Sequence, residues 1–352
     1  MPASVTPDVE NPDAANSGAI AMRETVPVEL GGKRFDQIAA ELFPDYSRAR
    51  LQQWIKSGEL TVDGAARQVK DKLMAGARLA LHAQLQPIDE WQAEAIELDI
   101  VYEDDDLLVI DKPAGLVVHP AAGHAQGTLL NALLHHLPSL NTIPRAGIVH
   151  RLDKDTTGLM VVAKNLTAQA NLVEQLQARS VHREYDAIVA GVLVSGGTVN
   201  APIGRHPHDR KRQAVFDKQR GVDKERVQHG GGNIKEAITH YRVVQRFRAH
   251  THIRCLLETG RTHQIRVHMA HIKHPLLGDP VYGGRFKIPS SMQAQTVEFL
   301  RAFPRQALHA RKLELLHPRS GDLLQWQCSL PADMQELLDY LRDDLVSADD
   351  LY

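Results

Sequence analysis

Between two short apolar runs, the segment Gly147-Ile148-Val149-His150-Arg151-Leu152-Asp153-Lys154-Asp155-Thr156-Thr157-Gly158-Leu159 carries a dense cluster of charge. Ile148-Val149 and Leu159-Met160-Val161-Val162 read as buried strands, so the charged stretch is a connection clamped at both ends by core packing. Gly158 permits a sharp turn there. An aspartate held in such a connection, with Arg151 close by and further arginines in the chain, is suited to stay ionised while partly desolvated and to serve as nucleophile or base. Asp153 is that residue. The plainer reading is a salt-bridged loop acid, and the companion segments decide between the two.

At 352 residues, with 43% hydrophobic and 24% charged residues, the chain is long enough for two domains and ordinary in composition for a globular protein. It has no run of about 18 apolar residues of the kind a membrane span needs. Cys255 and Cys328 are the only cysteines and both sit in apolar, strand-like contexts, which argues against a disulfide framework or thiolate metal site and fits a cytoplasmic protein. Pro2 to Thr25 lacks a basic start and an apolar centre, so it is expected to be a disordered tail rather than a secretory signal. The net charge of −2 is a weak argument against nucleic-acid binding, but charge distribution matters more than its sum. Arg205 to Arg226 is locally basic, although a charge run is often only a solvated loop.

Phe35, Ile38, Ala39 and Leu42 recur at i, i+3, i+4 and i+7, one face of a helix that Pro44 closes. Ser47 is a good N-cap for a second helix with Leu51, Trp54 and Ile55 on its apolar face and Arg48, Arg50 and Lys56 on the other. Leu60 and Val62, an Asp63-Gly64 turn and Leu79-Ala80-Leu81 then supply strands. This order, with Ser-Arg opening the second helix and Gly-Glu-Leu-Thr-Val-Asp-Gly after it, resembles the S4 RNA-binding domain over Val26 to His82. The resemblance implies that Arg48, Arg50 and Lys56 meet RNA phosphates, contacts that position a protein without reading sequence.

The expected organisation is a tail over 1–25, the S4-like domain over 26–82, a linker over 83–95, a larger domain over 96–345 and a short tail over 346–352. In the larger domain, strands are predicted at Leu98 to Glu103 and Leu107 to Asp111, and helices at Thr128 to Leu137 and Thr167 to Arg179. Many strands interspersed with separated helices indicate an α+β fold rather than regular βαβ alternation.

Two further segments stand beside the Asp153 loop. Arg183-Glu184-Tyr185-Asp186-Ala187-Ile188-Val189 is a strand whose alternation puts Tyr185 on the face of Ala187 and Val189. Leu257-Glu258-Thr259-Gly260-Arg261-Thr262-His263-Gln264-Ile265-Arg266-Val267-His268 is a strand running into a helix, with Thr262 as its expected cap and Arg266 one turn inside. Together with Asp111-Lys112-Pro113-Ala114-Gly115 and His274-Pro275-Leu276-Leu277-Gly278-Asp279-Pro280-Val281-Tyr282-Gly283, these strings closely resemble the pseudouridine synthases of the RluA/RluD family, over essentially all of Ile96 to Leu341.

The resemblance implies a largely antiparallel central sheet flanked by helices and loops, and an isomerase that needs no cofactor or metal. It implies Asp153 as catalytic aspartate, Tyr185 as the aromatic residue against the target base and Arg266 as the basic partner of Asp153. Arg183 stands where the family often has lysine, keeping the charge. Arg151, Arg183 and Arg261 are candidates for holding flanking phosphates. With the S4-like domain in front, the implied partner is 23S ribosomal RNA or a pre-50S particle, with the helix 69 stem-loop as target and a monomer as the acting species.

The chemistry fits those residues. Converting uridine to pseudouridine breaks the C1′–N1 bond, turns the uracil and rejoins it through C5, so one carboxylate suffices. Asp153 could attack C1′, add to C6 or remove the 2′ proton. An aspartate titrates near ~3.9, and an arginine within about 4 to 6 Å favours its charged form. Tyr185 offers a flat face to an extruded base. His268, His271 and His274 are poorly spaced for a metal, since positions i, i+3 and i+6 spread around a helix and Pro275 ends it. A glycosidase would need two carboxylates astride the bond, which Asp153 and Asp155 in one loop do not provide. A non-catalytic assembly factor on ribosomal RNA, or isomerisation at another ribosomal or transfer RNA site, are the other readings.

Overall fold

A computed structural model of the protein describes residues 19–44, 46, 48–84, 91–120, 126–209, 211–216, 234–284 and 292–349. The chain divides into two compact units, one of Met1–Glu90 with Asn141–Pro144 and one of Trp91–Leu140 with Arg145–Tyr352. No described helix is long and apolar enough to cross a membrane.

The first unit packs two helices, Phe35–Leu42 and Arg48–Ser57, with a three-stranded antiparallel sheet of β1 (Ala19–Thr25), β2 (Leu60–Val62) and β3 (Arg78–Gln84) in the order β1-β3-β2. The helical stripes foreseen from the sequence enter its core: Phe35, Ile38 and Ala39 from one helix, Leu51, Trp54 and Ile55 from the other. This is the arrangement expected of an S4-type unit. The tail expected over 1–25 is corrected at its end, because Ala19–Thr25 pairs along the whole of β3 and packs Ile20 and Met22 against the core. The earlier residues of that tail, and the proposed cap Ser47, lie outside the described residues.

The second unit is built on a nine-stranded sheet, with β4 (Ile100–Glu103), β5 (Leu107–Lys112), β6 (Thr157–Ala163), β7 (His182–Ala190) and β8 (Gly197–Asn200). Two short strands, β9 (Ile203–Arg205) and β10 (Gln213–Val215), pair separately. The sheet is completed by β11 (Ile238–Arg246), β12 (His250–Leu257), β13 (Leu308–Leu316) and β14 (Leu323–Gln327). Its order is β4-β5-β6-β13-β7-β12-β11-β8, with β14 paired to β13, and every pairing is antiparallel except β6 with β13. The fold is α+β, as expected. Helix Leu166–Ala178 covers the sheet through Ala168 and Leu172, while helices Ala294–Ala302 and Ala332–Asp349 bury Leu300, Leu337 and Leu341 around Ile188.

Several local expectations change. Ile148-Val149 is not a strand but a single bridge from Ile148 to Val162, and the chain then leaves the sheet to form the Asp153 loop. The final tail expected over 346–352 begins later, since the last helix continues to Asp349. Of the basic segment Arg205 to Arg226, only 205–209 and 211–216 are described; the rest lies outside the described residues.

Gly158 is the second residue of β6 and lies where that strand runs parallel to β13, opposite Ala310. Its φ of +112° is one that side-chain-bearing residues rarely adopt, and an added Cβ would lie 2.6 Å from the Ala310 nitrogen and nearer still to its carbonyl oxygen. Gly158→Ala is therefore expected to cost about 3 kcal/mol of stability, from strain plus a backbone clash. Urea denaturation measures it, and a loss below about 1 kcal/mol would show that the two strands separate easily.

Candidate active site

The Asp153 loop is fixed by its own backbone. Lys112, at the end of β5, is completely buried and donates to the carbonyls of Pro113 at 2.7 Å, Leu116 at 2.9 Å and Lys154 at 2.9 Å. Three acceptors match the three protons of an ammonium. Burial pushes the Lys112 amine down to about 8, against the pull of Asp155 and Asp153, so it remains mostly protonated at neutral pH. Gly115 N–H also donates to the Lys154 carbonyl, and Arg305 Nη1 donates to the Asp155 carbonyl at 3.1 Å. Gln306 Nε2 donates to Thr156 Oγ1 at 3.1 Å. Four side-chain and backbone donors from two other segments, Lys112–Gly115 and Arg305-Gln306, thus tie down the residues that follow Asp153.

The second support is the turn after β12. Thr259 Oγ1 donates to Gln264 Oε1, Arg261 N–H donates to the same oxygen, and Gln264 Nε2 returns to the carbonyl of Ile238. Helix Gln264–His271 starts there. Its N-cap is His263, in the left-handed region at φ 57° and without a side-chain cap bond, rather than the expected Thr262; the Gln264 side chain instead ties the preceding turn to the helix start.

Arg266 Nη1 donates to Asp153 Oδ2 at 2.9 Å. Its Nε and Nη2 donate to the two oxygens of Asp279 at 2.7 and 3.0 Å, a bidentate pair that sets the guanidinium plane. Asp279 Oδ1 also accepts from the backbone N–H groups of Val281 and Tyr282 at 2.8 and 2.9 Å. Burial would lower Arg266, but Asp279 and then Asp153 more than reverse it and raise its affinity for the proton. The Tyr282 ring lies 5.2 Å from the Arg266 guanidinium carbon, and its hydroxyl is 2.9 Å from His263 Nδ1. His263 Nε2 stands 3.8 Å from Asp153 Oδ1, and burial holds that imidazole below its usual value despite the attraction of Asp153.

Asp153 therefore has one oxygen committed to Arg266 and the other, Oδ1, open at the cleft. Tyr185, in the middle of β7 opposite Cys255 of β12 and Ala310 of β13, is buried, and desolvation raises its phenol, keeping it neutral. A cleft of about 800 Å³ is bordered by Asp153, Tyr185 and Arg266, and also by Arg151, Arg183 and Arg261. All six of these candidates meet at one place. Arg151 is exposed, whereas Arg261 Nε is tied to the Glu236 carbonyl at 3.0 Å.

Arg48, Arg50 and Lys56 belong to the other unit. Lys56 is exposed, Arg50 lies 5.6 Å from the Trp54 ring, and Arg48 Nη2 is bound to the buried Asp36 at 2.7 Å. Arg48 thus has a structural duty that its helical position did not reveal. Of the histidines weighed as metal ligands, His268 has both ring nitrogens engaged, by Thr239 and by the Ala201 carbonyl, and His274 Nδ1 meets the Ala190 carbonyl.

Asp279, His263 and Lys112 were not foreseen as site residues. All three lay inside the sequence motifs, but their roles depend on partners elsewhere in the chain: Asp279 on Arg266, Lys112 on the Lys154 carbonyl, His263 on Asp153 and Tyr282.

A family profile described as RNA pseudouridylate synthase matches residues 106–271. The chain belongs to that family, and is an RNA pseudouridine synthase, an isomerase. Among its relatives, the ribosomal large subunit pseudouridine synthase D of Pseudomonas aeruginosa is 60% identical over 93% of this chain and 98% of its own length. The protein of the same description from Xanthomonas campestris is 52% identical over 93% and 94%. Among solved structures, human RNA pseudouridylate synthase domain containing 4 superposes with a TM-score of 0.54 at 28% identity, covering 69% of this chain and 93% of that one.

Burial would raise the Asp279 carboxyl, but the bonds from Arg266 and from two backbone N–H groups overcome that and hold it below the usual carboxylate range. A group whose folded pKa is depressed contributes stability above its unfolded value, near ~3.9, and loses it as pH falls through the folded value. Asp279→Asn is expected to cost about 3 to 5 kcal/mol at pH 7 and clearly less near pH 3. Urea denaturation at both pH values reads the difference. An equal loss at both would mean that shape, not charge, is what Asp279 supplies.

Proposed function

We propose that this protein isomerises uridines of large-subunit ribosomal RNA to pseudouridine, with Asp153 as the catalytic carboxylate. The observation that carries the reading is the open Oδ1 of Asp153, held beside Tyr185 by an arginine that is itself locked by a second carboxylate. The relatives' descriptions support the choice of RNA. Within it, the helix 69 stem-loop is the target implied by the family resemblance, met in the free RNA or in a pre-50S particle, by a monomer.

The reaction is balanced without any co-reactant. The C1′–N1 bond breaks, the C1′–C5 bond forms, C5 releases its proton and N1 acquires one. Attack at C1′, addition at C6 and removal of the 2′ proton all begin from the same carboxylate oxygen. Arg266 disperses charge on Asp153 and fixes its orientation; this preorganisation is the larger part of what a protein contributes to such a step. Tyr185 presents its ring to the extruded uracil, and being un-ionised it adds no charge next to the carboxylate. Arg151 and Arg261 flank the strand, and Arg50 and Lys56 contribute phosphate contacts from the S4-like unit.

Asp153→Ala is expected to abolish pseudouridine formation, measured as tritium release from RNA labelled at uridine C5, while RNA affinity stays within about tenfold. Full activity in that variant would remove Asp153 from the chemistry. The target is tested in cells. Carbodiimide-blocked primer extension across 23S RNA, with and without the gene, should lose the helix 69 stops when the gene is absent. Persistence of those stops would refute this choice of target and leave the reaction class intact.

A further inference from the structure

Among the described residues, four lysine and arginine side chains are buried: Lys112, Arg183, Arg266 and Arg305. Three have internal partners. Lys112 has three carbonyls, Arg266 has two carboxylates, and Arg305 is paired with Asp333 at 2.7 Å. Arg183 is only 7% exposed, its Nε has no hydrogen-bond partner, and no carboxylate of the described residues pairs with it. Leaving a guanidinium desolvated and unpaired costs several kcal/mol in general, so it persists where something other than folding needs it.

Arg183 has a purpose-made seat. Its backbone lies on β7 between Leu257 of β12 and Leu313 of β13, and its side chain reaches the catalytic cleft. At Gly260 a Cβ would come 2.5 Å from Arg183 Nη1, so the guanidinium rests on bare backbone. His150, also lining the cleft, accepts the Val161 N–H at Nε2 and therefore carries its proton on Nδ1, which is buried and unpartnered. Burial and the nearby Arg183 push His150 down to about 3, so it is a neutral donor at working pH and does not compete for an anion as a second cation. Asp153 makes no ion pair with Arg183; its partner is Arg266, which holds Oδ2.

We propose that Arg183, seated on Gly260 beside His150, is a built phosphodiester site in the floor of the cleft, left without a protein counter-ion so that the RNA strand supplies it. The inference rests on the RNA reading of the cleft and deepens it. Phosphate is the anion that every RNA segment brings, whereas uracil offers only neutral acceptors. The site distinguishes Arg183 from Arg151 and Arg261, whose exposed or backbone-tied side chains need no counter-ion from RNA.

Two signatures separate this role from a structural one. Arg183→Met removes a buried unpaired charge, so without RNA the variant should melt at or above the wild-type temperature. Its binding to a large-subunit ribosomal RNA transcript should show a salt slope shallower by about 0.7 to 0.9, the loss of one phosphate contact. Arg183→Lys, which keeps the positive charge, should keep the wild-type slope. An unchanged slope in Arg183→Met, as for a contact to a uracil carbonyl, overturns the proposal, and so does a lowered melting temperature. Tritium release by the wild-type protein on the same transcript is scored separately. Its failure would sink the substrate reading, whereas the slopes and melting temperatures bear on Arg183 alone.

Discussion

The alternation of charge Asp279, Arg266, Asp153 is the constraint around which the catalytic unit is organised. A guanidinium this deeply buried is tolerable only with good hydrogen-bonding geometry, and Asp279 provides it with two bonds to one edge. The remaining edge is what faces Asp153. Without Asp279, Arg266 would have rotational freedom and Asp153 would carry alone the task of compensating a buried cation. With it, Asp153 needs to give up only one oxygen. The supporting carboxylate is in turn oriented by two backbone N–H groups at the turn before Gly283, so the chain of interactions ends on rigid backbone.

The same logic governs the Asp153 loop. Buried donors must find acceptors, and the carbonyls of Lys154 and Asp155 accept from Lys112, Gly115 and Arg305, which come from distant parts of the chain. Satisfaction of backbone polarity and positioning of the carboxylate are therefore one event. Lys112 is the clearest case, since its buried ammonium is itself satisfied by three carbonyls, those of Pro113, Leu116 and Lys154. Arg183 presents the contrary case in the same cleft, a buried cation with no internal answer, and the contrast between it and the other three buried cations is what makes it informative.

Much of this was legible beforehand. The stripes Phe35, Ile38, Ala39 and Leu51, Trp54, Ile55 entered the first core as their periodicity indicated, and the α+β class followed from the order of strands and helices. Asp153, Tyr185 and Arg266 were drawn from three separate motifs and meet at one cleft. What was misread depended on partners. Ala19–Thr25 was read with the polar stretch before it because the strand it pairs with, β3, lies far along the chain, and Thr262 was expected as a cap although His263, in the left-handed region, takes that position. Arg48 looked free on a helix surface, yet Asp36, a buried acid twelve positions earlier, claims it.

The amino-acid sequence by itself determined the local properties of the chain: periodicity, turn chemistry, the charge in the Asp153 loop and the motifs that mark the family. These depend on residues within a few positions of one another, where spacing alone decides which side chains share a face. Only tertiary structure decided that Arg266 would be held by Asp279, that Lys112 would anchor the loop 42 residues later, and that Arg183 would be buried without a counter-ion. Those outcomes depend on which groups are removed from water together. Desolvation is a property of the packed whole, and no stretch of sequence carries it alone.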